Sequence, residues 1–275
     1  MDLLEAIRRR HTDNNKFLPD PVKPEHVKLL IEAAARAPSH FNSQPWRFVL
    51  VRDSQIREAL AELAGASMKE LMEGPFFERY RTYFRFSKDE VNSASDGIYI
   101  DHFPAILRPM LRYSFTPQAG KLLGSLGVTA ALGRNQTEIV RTSPLLIAIA
   151  LNKAEYVPGE MSALYSTISL GAVVQTFWLV TTSLNMGMQF ISTPLEVAER
   201  KALIAEMLGI PDEYDLVALF RMGYRDPAGV RNTIDWTSSQ RKPFDSLASA
   251  EKWGASLPDD LENAPSILWT EAESK

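Results

Sequence analysis

The chain contains no cysteine among its 275 residues. This absence excludes disulfide bonds, thiolate metal ligands, CxxC redox chemistry and a cysteine nucleophile. Any redox reaction would therefore have to use a cofactor. The four histidines show neither HExxH nor paired metal-ligand spacing, so we predict no metal site.

Several short signatures of nucleotide and hydrolase sites are also missing. The glycines between positions 120 and 133 lack GxGxxG spacing, and no Walker lysine follows them. There is no G-x-S-x-G elbow, and the S-x-x-K match at Ser249 lies near the C-terminus without its companion motifs. A formal net charge of −4 provides no general attraction to nucleic acid or anionic membranes.

What is present is enough apolar sequence, 45% of the residues, for one large domain spanning 1–275. The start, D-L-L-E-A-I-R-R-R, has no apolar signal region, so we expect a cytoplasmic protein. The stretch from Met161 to Leu195 is uncharged but carries many Ser and Thr residues, with Glu160 and Glu196 at its ends. We therefore interpret it as a buried or subunit-interface helix rather than a membrane span.

The most informative stretch is Ala37–Phe48, A-P-S-H-F-N-S-Q-P-W-R-F, between a predicted helix at 24–36 and a predicted strand at 48–51. Its prolines at 38 and 45 restrict the backbone around two hydroxyls, two amides and a histidine. From the residues alone, two interpretations are equally good. The loop binds a ligand, or its side chains satisfy its own backbone.

This stretch resembles the loop A-P-S-x-x-N-x-Q-P-W-x-F of the nitroreductase family of FMN-dependent oxidoreductases. In that family the loop lies along the pyrimidine side of the flavin ring. The resemblance implies that the FMN site includes Pro38 (through its carbonyl), Ser39, His40, Asn42 and Gln44. Amide and hydroxyl groups suit the N–H donor and the acceptors of that edge.

Asp2 and Glu5 have capping-box spacing and predict a helix to about Arg9. The arginines at its end either oppose the helix dipole or bind phosphate. The family carries a phosphate-binding segment R-[RH]-[ST]-x-[RK]-x-F, which Arg10-His11-Thr12 and Phe17 resemble with one residue too many between them. The resemblance implies FMN contacts from Arg10 and Thr12, from Asn14 (or Lys16 if the loop bulges), and from the neighbouring Arg9.

The second half of the chain supplies three further matches. A buried strand at 144–151 precedes an apolar helix at about 162–184 that resembles the family's central helix, which packs against its mate in the dimer. We predict a short strand from Gly187, then a helix with Thr193 as N-cap and Pro194 at N1. The resemblance implies that a backbone N–H of Ser192 or Thr193 approaches flavin N5. A strand at 214–222, ended by Gly223, precedes Arg241-Lys-Pro, which resembles the family's C-terminal segment and implies that Arg241 binds the FMN phosphate.

Residues 66–140 form a long irregular excursion after a helix that Asp53 or Ser54 caps and Gly65 ends. The aromatic and basic run at 76–86 predicts one helix with rings inward and arginines solvated, or rings that stack on single-stranded nucleic acid. Because the segment is long and aromatic, we predict a lid over the flavin that selects the acceptor. The substrate-contacting residues would be Tyr80, Arg81, Tyr83 and Phe84.

Together the resemblance implies an α+β fold, a three-layer sandwich with a central mixed sheet flanked by helices, assembled as a homodimer with FMN at the interface. It implies a ping-pong reaction in which NAD(P)H reduces FMN and a nitroaromatic, quinone or similar small molecule is then reduced. No side chain is predicted as a proton donor, and 245–275 is predicted to be a C-terminal extension. Two alternatives stay open: a flavin-dependent dehalogenase or dehydrogenase of a dedicated metabolite, and a non-enzymatic flavin-binding protein.

Overall fold

A computed structural model describes residues 1–100, 113, 115–229 and 240–268. Its central sheet has the spatial order β1-β4-β6-β5, with every neighbouring pair antiparallel. A separate two-stranded sheet pairs β2 with β3 in parallel, so the described strands include both kinds of pairing. The strands are β1 (Trp46–Val51), β2 (Phe84–Arg85), β3 (Ile98–Tyr99), β4 (Leu145–Asn152), β5 (Met186–Phe190) and β6 (Tyr214–Tyr224).

The described helices cover both faces of the central sheet. Asp2 caps the first of them, its carboxylate accepting the Glu5 N–H at 2.8 Å as the capping-box spacing predicted. The helices are α1 (Leu3–Arg9), α2 (Pro24–Ala34), α3 (Ser54–Glu73), α4 (Phe76–Tyr80), α5 (Lys88–Ala94), α6 (Pro117–Ser125), α7 (Val128–Arg141), α8 (Met161–Ser183), α9 (Ala198–Met207), α10 (Phe244–Leu247) and α11 (Asp259–Glu262).

Strand β4 explains why the fold has three layers. All its residues from Leu145 to Leu151 are buried, and alternate side chains point to opposite faces. Leu145 and Ile147 pack in one apolar cluster with residues of α2 and α8. Leu146 and Ala148 pack in a second cluster with residues of α3, α7 and α9. The α+β sandwich predicted from the sequence is therefore confirmed.

The prediction that Gly65 ends its helix was wrong, because α3 continues through Gly65 to Glu73. Gly65 lies where α3 crosses α7. A Cβ at this position would be 2.0 Å from Thr137 Oγ1 and 2.7 Å from the Gly133 carbonyl oxygen. The glycine is therefore needed for close helix packing and not for a helix end.

The prediction that Gly223 breaks its strand was also wrong. Strand β6 continues to Tyr224, and Gly223 pairs with Gly187 on β5. A Cβ at Gly223 would be 2.8 Å from Phe17 Cγ, and one at Gly187 would be 2.4 Å from Phe17 Cε1. Because neither of the facing glycines has a side chain, the buried Phe17 ring can pack directly against the sheet at this point.

The run at 76–86 does not form the single helix that was predicted. It divides into α4, a 3-10 turn at Arg81–Tyr83 and β2. Extended backbone lets Phe84 and Phe86 point the same way, and both are buried against Phe115. The Phe84 and Phe115 ring centroids are 4.3 Å apart. Aromatic packing between distant segments therefore overrides the helical pattern of the run.

The C-terminal extension is described as far as Leu268 and contains the short helices α10 and α11. Its end returns to α1, where Arg8 Nη1 donates to the Leu268 carbonyl at 3.4 Å. Trp253 is fully exposed, and several other apolar side chains of the extension are largely exposed. Residues 269–275 of the predicted extension, and 101–112 and 114 of the predicted lid, lie outside the described residues.

Candidate functional site

The loop between α2 and β1 is held in an uncommon backbone conformation. Phe41, Asn42 and Gln44 have φ angles of 49°, 55° and 46°, in the left-handed region that non-glycine residues seldom adopt. Ser39 Oγ accepts the Gln44 backbone N–H at 3.0 Å, and Gln44 Nε2 donates to Asn42 Oδ1 at 3.2 Å. Backbone of this kind is concentrated at ligand-binding sites, where the surrounding structure has to hold it.

The outward side of this loop lies at the N-terminal end of α8. His40 stacks on Tyr165 of α8, with ring centroids 4.2 Å apart and planes 14° apart. Pro38, His40 and Asn42 are exposed, whereas Ser39 and Gln44 are half-buried. The structure therefore brings all five predicted loop residues together. We call residues 38–44 the loop half-site.

A second group of predicted residues gathers near the other end of α8. Arg10 follows α1, and its guanidinium lies 5.6 Å from the centroid of the Trp178 ring. Partial burial lowers the pKa of Arg10, and the nearby charge of Arg241 lowers it further. Two cations from opposite ends of the chain are thus close enough to repel each other. Arg9, by contrast, is exposed and lies 3.8 Å from Glu5 in its own helix.

The segment that follows Arg10 is anchored to the sheet edge. Thr12 is half-buried, and Asn14 is buried with its Oδ1 accepting from Gln189 Nε2 at 2.7 Å. Lys16 extends to the α7 side, where its Nζ lies 2.9 Å from Glu138. We call Arg10, Thr12, Asn14 and Arg241 the phosphate half-site, after the role that the sequence resemblance implies for them.

The turn after β5 differs from its prediction. Ser192, not Thr193, occupies the N-cap position, and it precedes a 3-10 turn at Thr193–Leu195, while α9 starts only at Ala198. Thr193 is buried, and its hydroxyl donates to the Ala64 carbonyl of α3 at 3.4 Å. Thr193 therefore does not cap a helix because its side chain is turned toward α3. Ser192 is half-buried at the end of the edge strand.

The two half-sites are well separated within one chain. Tyr165 and Trp178 are 13 positions apart on α8, which is about 20 Å along a helix. The strand order also separates the two half-sites, because β1 and β5 are opposite edge strands, about 14 Å apart across β4 and β6. Along the strands, the end of β5 is level with Leu50 and not with Trp46, where the loop half-site enters β1.

The predicted substrate residues fall into two sets. Arg81 and Phe84 line a cavity of about 470 Å³ in the excursion, together with Arg85, Phe86 and Tyr113. Tyr80 and Tyr83 are exposed side chains outside the residues given for that cavity's lining, and Phe84 is buried.

The cavity wall is connected to the chain segment that carries Arg241. Arg85 pairs with Asp96, and Asp96 is 3.5 Å from Lys242 Nζ. Gln240 Nε2 donates to the Gly97 carbonyl at 2.9 Å. The Arg85 pair holds the pKa of Asp96 below its usual value, and Lys242 adds to this. The excursion is therefore attached next to the phosphate half-site.

Sequence reasoning missed the residues that hold the half-sites in place. Tyr165 and Trp178 were hidden in an apolar helix pattern, although each contacts one half-site. Gln189 and Arg221 support the segment after Arg10. An arginine inside the apolar strand L-V-A-L-F-R-M-G-Y was a usable signal, because a buried arginine requires dedicated partners.

Comparison with known proteins gives one family and several similar structures. The family model described as "Nitroreductase family" matches residues 7–224. A curated "NADH dehydrogenase" of Thermus thermophilus is 44% identical over 59 residues, which is 22% of this chain and 28% of that protein. Protein DrgA of Synechocystis sp. is 41% identical over 66 residues, 24% of this chain and 31% of that protein. These matches span less than a third of either relative's length.

Among solved structures, that of B. megaterium NfrA2 has a TM-score of 0.55 at 13% identity, covering 92% of this chain and 76% of that one. The NADPH:FMN oxidoreductase from Vibrio harveyi, complexed with NAD+, has a TM-score of 0.53 at 16% identity, covering 94% and 81%. At such identities the similarity concerns the fold.

Proposed function

The chain belongs to the nitroreductase family, and from this premise we propose that it is an FMN-dependent oxidoreductase. It would take reducing equivalents from NAD(P)H and pass them to a small acceptor such as a nitroaromatic or a quinone. The observation that carries the proposal is the geometry of the loop half-site, where positive φ angles at Asn42 and Gln44 hold two amide groups beside the Ser39 hydroxyl. The charge of Arg241 acting on Arg10 adds a pair of cations. A dianionic phosphate offsets the repulsion between two guanidinium groups and gives each of them hydrogen-bond acceptors.

The donor and acceptor groups of the loop half-site fit the rest of the cofactor. Hydroxyl and amide groups of Ser39, Asn42 and Gln44 lie together in a loop that its own hydrogen bonds hold in place. Such groups match the mixed donors and acceptors of a flavin pyrimidine edge. When bound, FMN would supply the hydride chemistry, while the chain binds and orients it.

The separation of the half-sites leads us to propose that the binding site is shared between two copies of the chain. The pyrimidine edge and N5 belong to one fused ring, so the loop half-site and Ser192 would have to meet at the same ring. Within one chain they lie at opposite edges of the sheet. A homodimer in which the loop half-site of one subunit faces the phosphate half-site of the other satisfies both sets of contacts.

Helix α8 has the surface that this dimer requires. Leu164, Ile168 and Gly171 form an exposed stripe, and the space around Gly171 is open within a single chain. Tyr165 and Trp178 lie about equally far from Gly171 on either side. Antiparallel pairing of two α8 helices at Gly171 would therefore bring each Tyr165 beside the partner subunit's Trp178, and with it the two half-sites.

The same helix, Met161–Ser183, is long and apolar enough to cross a membrane by length and composition, and 22% of its most apolar window is buried within one chain. Coverage by a second subunit is the use we propose for this face. The four hydroxyls of this helix that are buried within one chain, at Ser166, Ser169, Thr181 and Thr182, donate to backbone carbonyls and so need no partner from a second subunit.

We further propose that the excursion at 66–140 selects the acceptor. Its cavity combines the aromatic rings of Phe84, Phe86 and Tyr113 with the cation of Arg81, while the carboxylate of Glu90 in the same lining accepts the Phe86 N–H. This combination suits a planar molecule whose anionic group pairs with Arg81. The cavity volume is within the usual range for small-molecule sites.

The decisive experiment is an absorption spectrum of the purified protein followed by an assay of NAD(P)H oxidation. We expect a yellow protein with noncovalent FMN that oxidises NAD(P)H when a quinone or nitroaromatic is added. A colourless protein that takes up no added FMN would refute the proposal. Bound FMN without turnover of either pyridine nucleotide would favour the flavin-binding alternative, and turnover with halogenated aromatics alone would favour the dehalogenase.

A further inference from the structure

Arg221 is the most completely buried charged side chain described, and it lies in the middle of the apolar strand β6. Burial lowers the pKa of Arg221 to about 9, an effect that Asp13 opposes, so the side chain remains charged at neutral pH. Burying a cation is costly unless its donors are satisfied. The placement of these donors therefore shows what the charge is used for.

The guanidinium group is directed at the segment that follows Arg10 and Thr12. Its Nη2 donates to the Asp13 carbonyl at 2.9 Å and to the Asn15 carbonyl at 2.8 Å. Its plane also lies over the Phe17 ring, 4.3 Å from the centroid. Because two carbonyls two residues apart converge on one nitrogen, residues 13–15 have to curve around Arg221. This curve accommodates the additional residue between Thr12 and Phe17.

A side-chain relay extends from the same arginine to Asn14. Gln189 is the cross-strand neighbour of Arg221, and its Oε1 accepts from Arg221 Nε. With its oxygen engaged, Gln189 presents Nε2 to Asn14 Oδ1 at 2.7 Å. Arg221 thereby holds both the backbone and a side chain of the phosphate half-site.

We propose that Arg221, acting with Gln189, is a positioning residue that presets the phosphate half-site for the FMN phosphate; this inference rests on the proposed function. Arg221 is fully buried, so it would act on the cofactor only through these neighbours. It fixes the curve of residues 13–15 before binding, so that the phosphate is met by an ordered segment. Arg225 complements it by donating from Nε to Asp13 Oδ2 at 3.1 Å, which holds the same segment from its other side.

The alternative is that Arg221 serves the fold alone, as a clamp between β6, α7 and the N-terminal segment. It does have weak contacts at 3.5 Å with the Ile139 carbonyl and the Ser143 hydroxyl. A pure clamp would alter the melting temperature but not the preference among flavins. Riboflavin, which lacks the phosphate, makes the two roles separable.

The test uses the full chain stripped of flavin and titrated separately with FMN and riboflavin, with melting temperatures measured on the same samples. Arg221→Lys keeps the charge but loses the planar fork, and Gln189→Leu removes only the relay. We expect Arg221→Lys to weaken FMN binding about tenfold while riboflavin binding stays nearly unchanged. Gln189→Leu should have a smaller effect in the same direction.

Arg200→Lys is the matched control, because Arg200 pairs with Glu70 and bonds to Ser67 away from both half-sites. It should leave the affinities for both flavins unchanged. Unaltered FMN affinity in Arg221→Lys and Gln189→Leu, whatever happens to their melting temperatures, overturns the inference. So does an equal loss of FMN and riboflavin binding. If Arg221→Lys does not fold, Gln189→Leu decides by the same criteria, and failure of the wild-type protein to bind FMN refutes the proposed function instead.

Discussion

The sheet core and the described part of the excursion at 66–140 both bury apolar side chains, but different features of the sequence account for this burial. In the core, β4 is a continuous apolar run that can be recognised in the chain itself, and its side chains alternate between two helix layers. In the excursion, Phe84 and Phe86 are buried by Phe115 and Ile100, which come from other segments. Local periodicity therefore predicts structure where one element supplies its own pattern, and fails where the partner is distant in sequence.

Both half-sites are connected to strands of the central sheet. The loop half-site leads into β1, and the phosphate half-site is bound to β5 and β6. The excursion contributes its cavity from a 3-10 turn, a two-residue strand and a short helix. We therefore expect changes in the half-sites to affect cofactor binding, and changes in the excursion to affect the choice of acceptor.

The largest effect is expected from breaking the half-sites separately and recombining them. Arg10→Ala with Arg241→Ala should weaken FMN binding by about a hundredfold or more, since each bond to a charged phosphate contributes roughly 1.5–3 kcal/mol. Asn42→Ala with Gln44→Ala should weaken it from the opposite side. In a shared site, random mixing of the two double variants restores about a quarter of the binding sites, all in mixed dimers. FMN content of the co-expressed mixture is the measurement, and no recovery would contradict the shared site.

The next largest effect concerns the helix crossing that supports the core. Gly65→Ala would normally favour a helix, but its Cβ would collide with Thr137 Oγ1. We expect a loss of about 1–3 kcal/mol in unfolding free energy, as for other overpacked sites. Adding Thr137→Ala to the Gly65→Ala variant should recover part of the lost stability. Denaturant titrations of the wild type, the two single variants and the double variant would show this recovery. A Gly65→Ala variant as stable as the wild type would mean that the crossing is looser than the structure has it.

A smaller effect should separate the excursion from the core. Arg81→Ala is expected to lower kcat/KM for an anionic acceptor about tenfold, because a charge-assisted contact is lost, while FMN content and melting temperature stay nearly intact. Arg79→Ala is the matched control, since Arg79 is an exposed neighbour outside the residues that line the cavity. Equal kinetics for both variants would show that the excursion does not contact the acceptor.

The smallest effect is expected at the junction of the two regions. Asp96 joins Arg85 to Lys242, and the arginine in particular lowers its pKa. A carboxylate whose pKa is lower in the folded than in the unfolded protein stabilises the fold above its unfolded pKa, and loses that contribution as pH falls through the folded value. Asp96→Asn should therefore melt slightly lower at neutral pH and approach the wild type in acid. A difference that is constant with pH would assign the effect to packing.

Much of the candidate site could be predicted from the chain, since Pro38, Ser39, Asn42 and Gln44 follow one another in a single loop. The supporting contacts could not. Arg221 acts on Asp13 and Asn15 from more than two hundred positions away, and no local pattern connects them. Thr193 is a second example. Threonine is typical of an N-cap, but here its hydroxyl donates to the Ala64 carbonyl of α3 instead.

The sequence by itself determined which segments form the sheet, which faces of β4 are buried, and which side chains are chemically suited to a flavin. These properties depend on residue type and on spacing along the chain. The tertiary structure alone decided that Gly65 and Gly223 lie within regular elements, that Arg221 holds residues 13–15, and that the loop and phosphate half-sites lie apart. The physical reason is that strand order and helix crossings bring distant residues into contact or separate them, and neither is encoded in a local repeat.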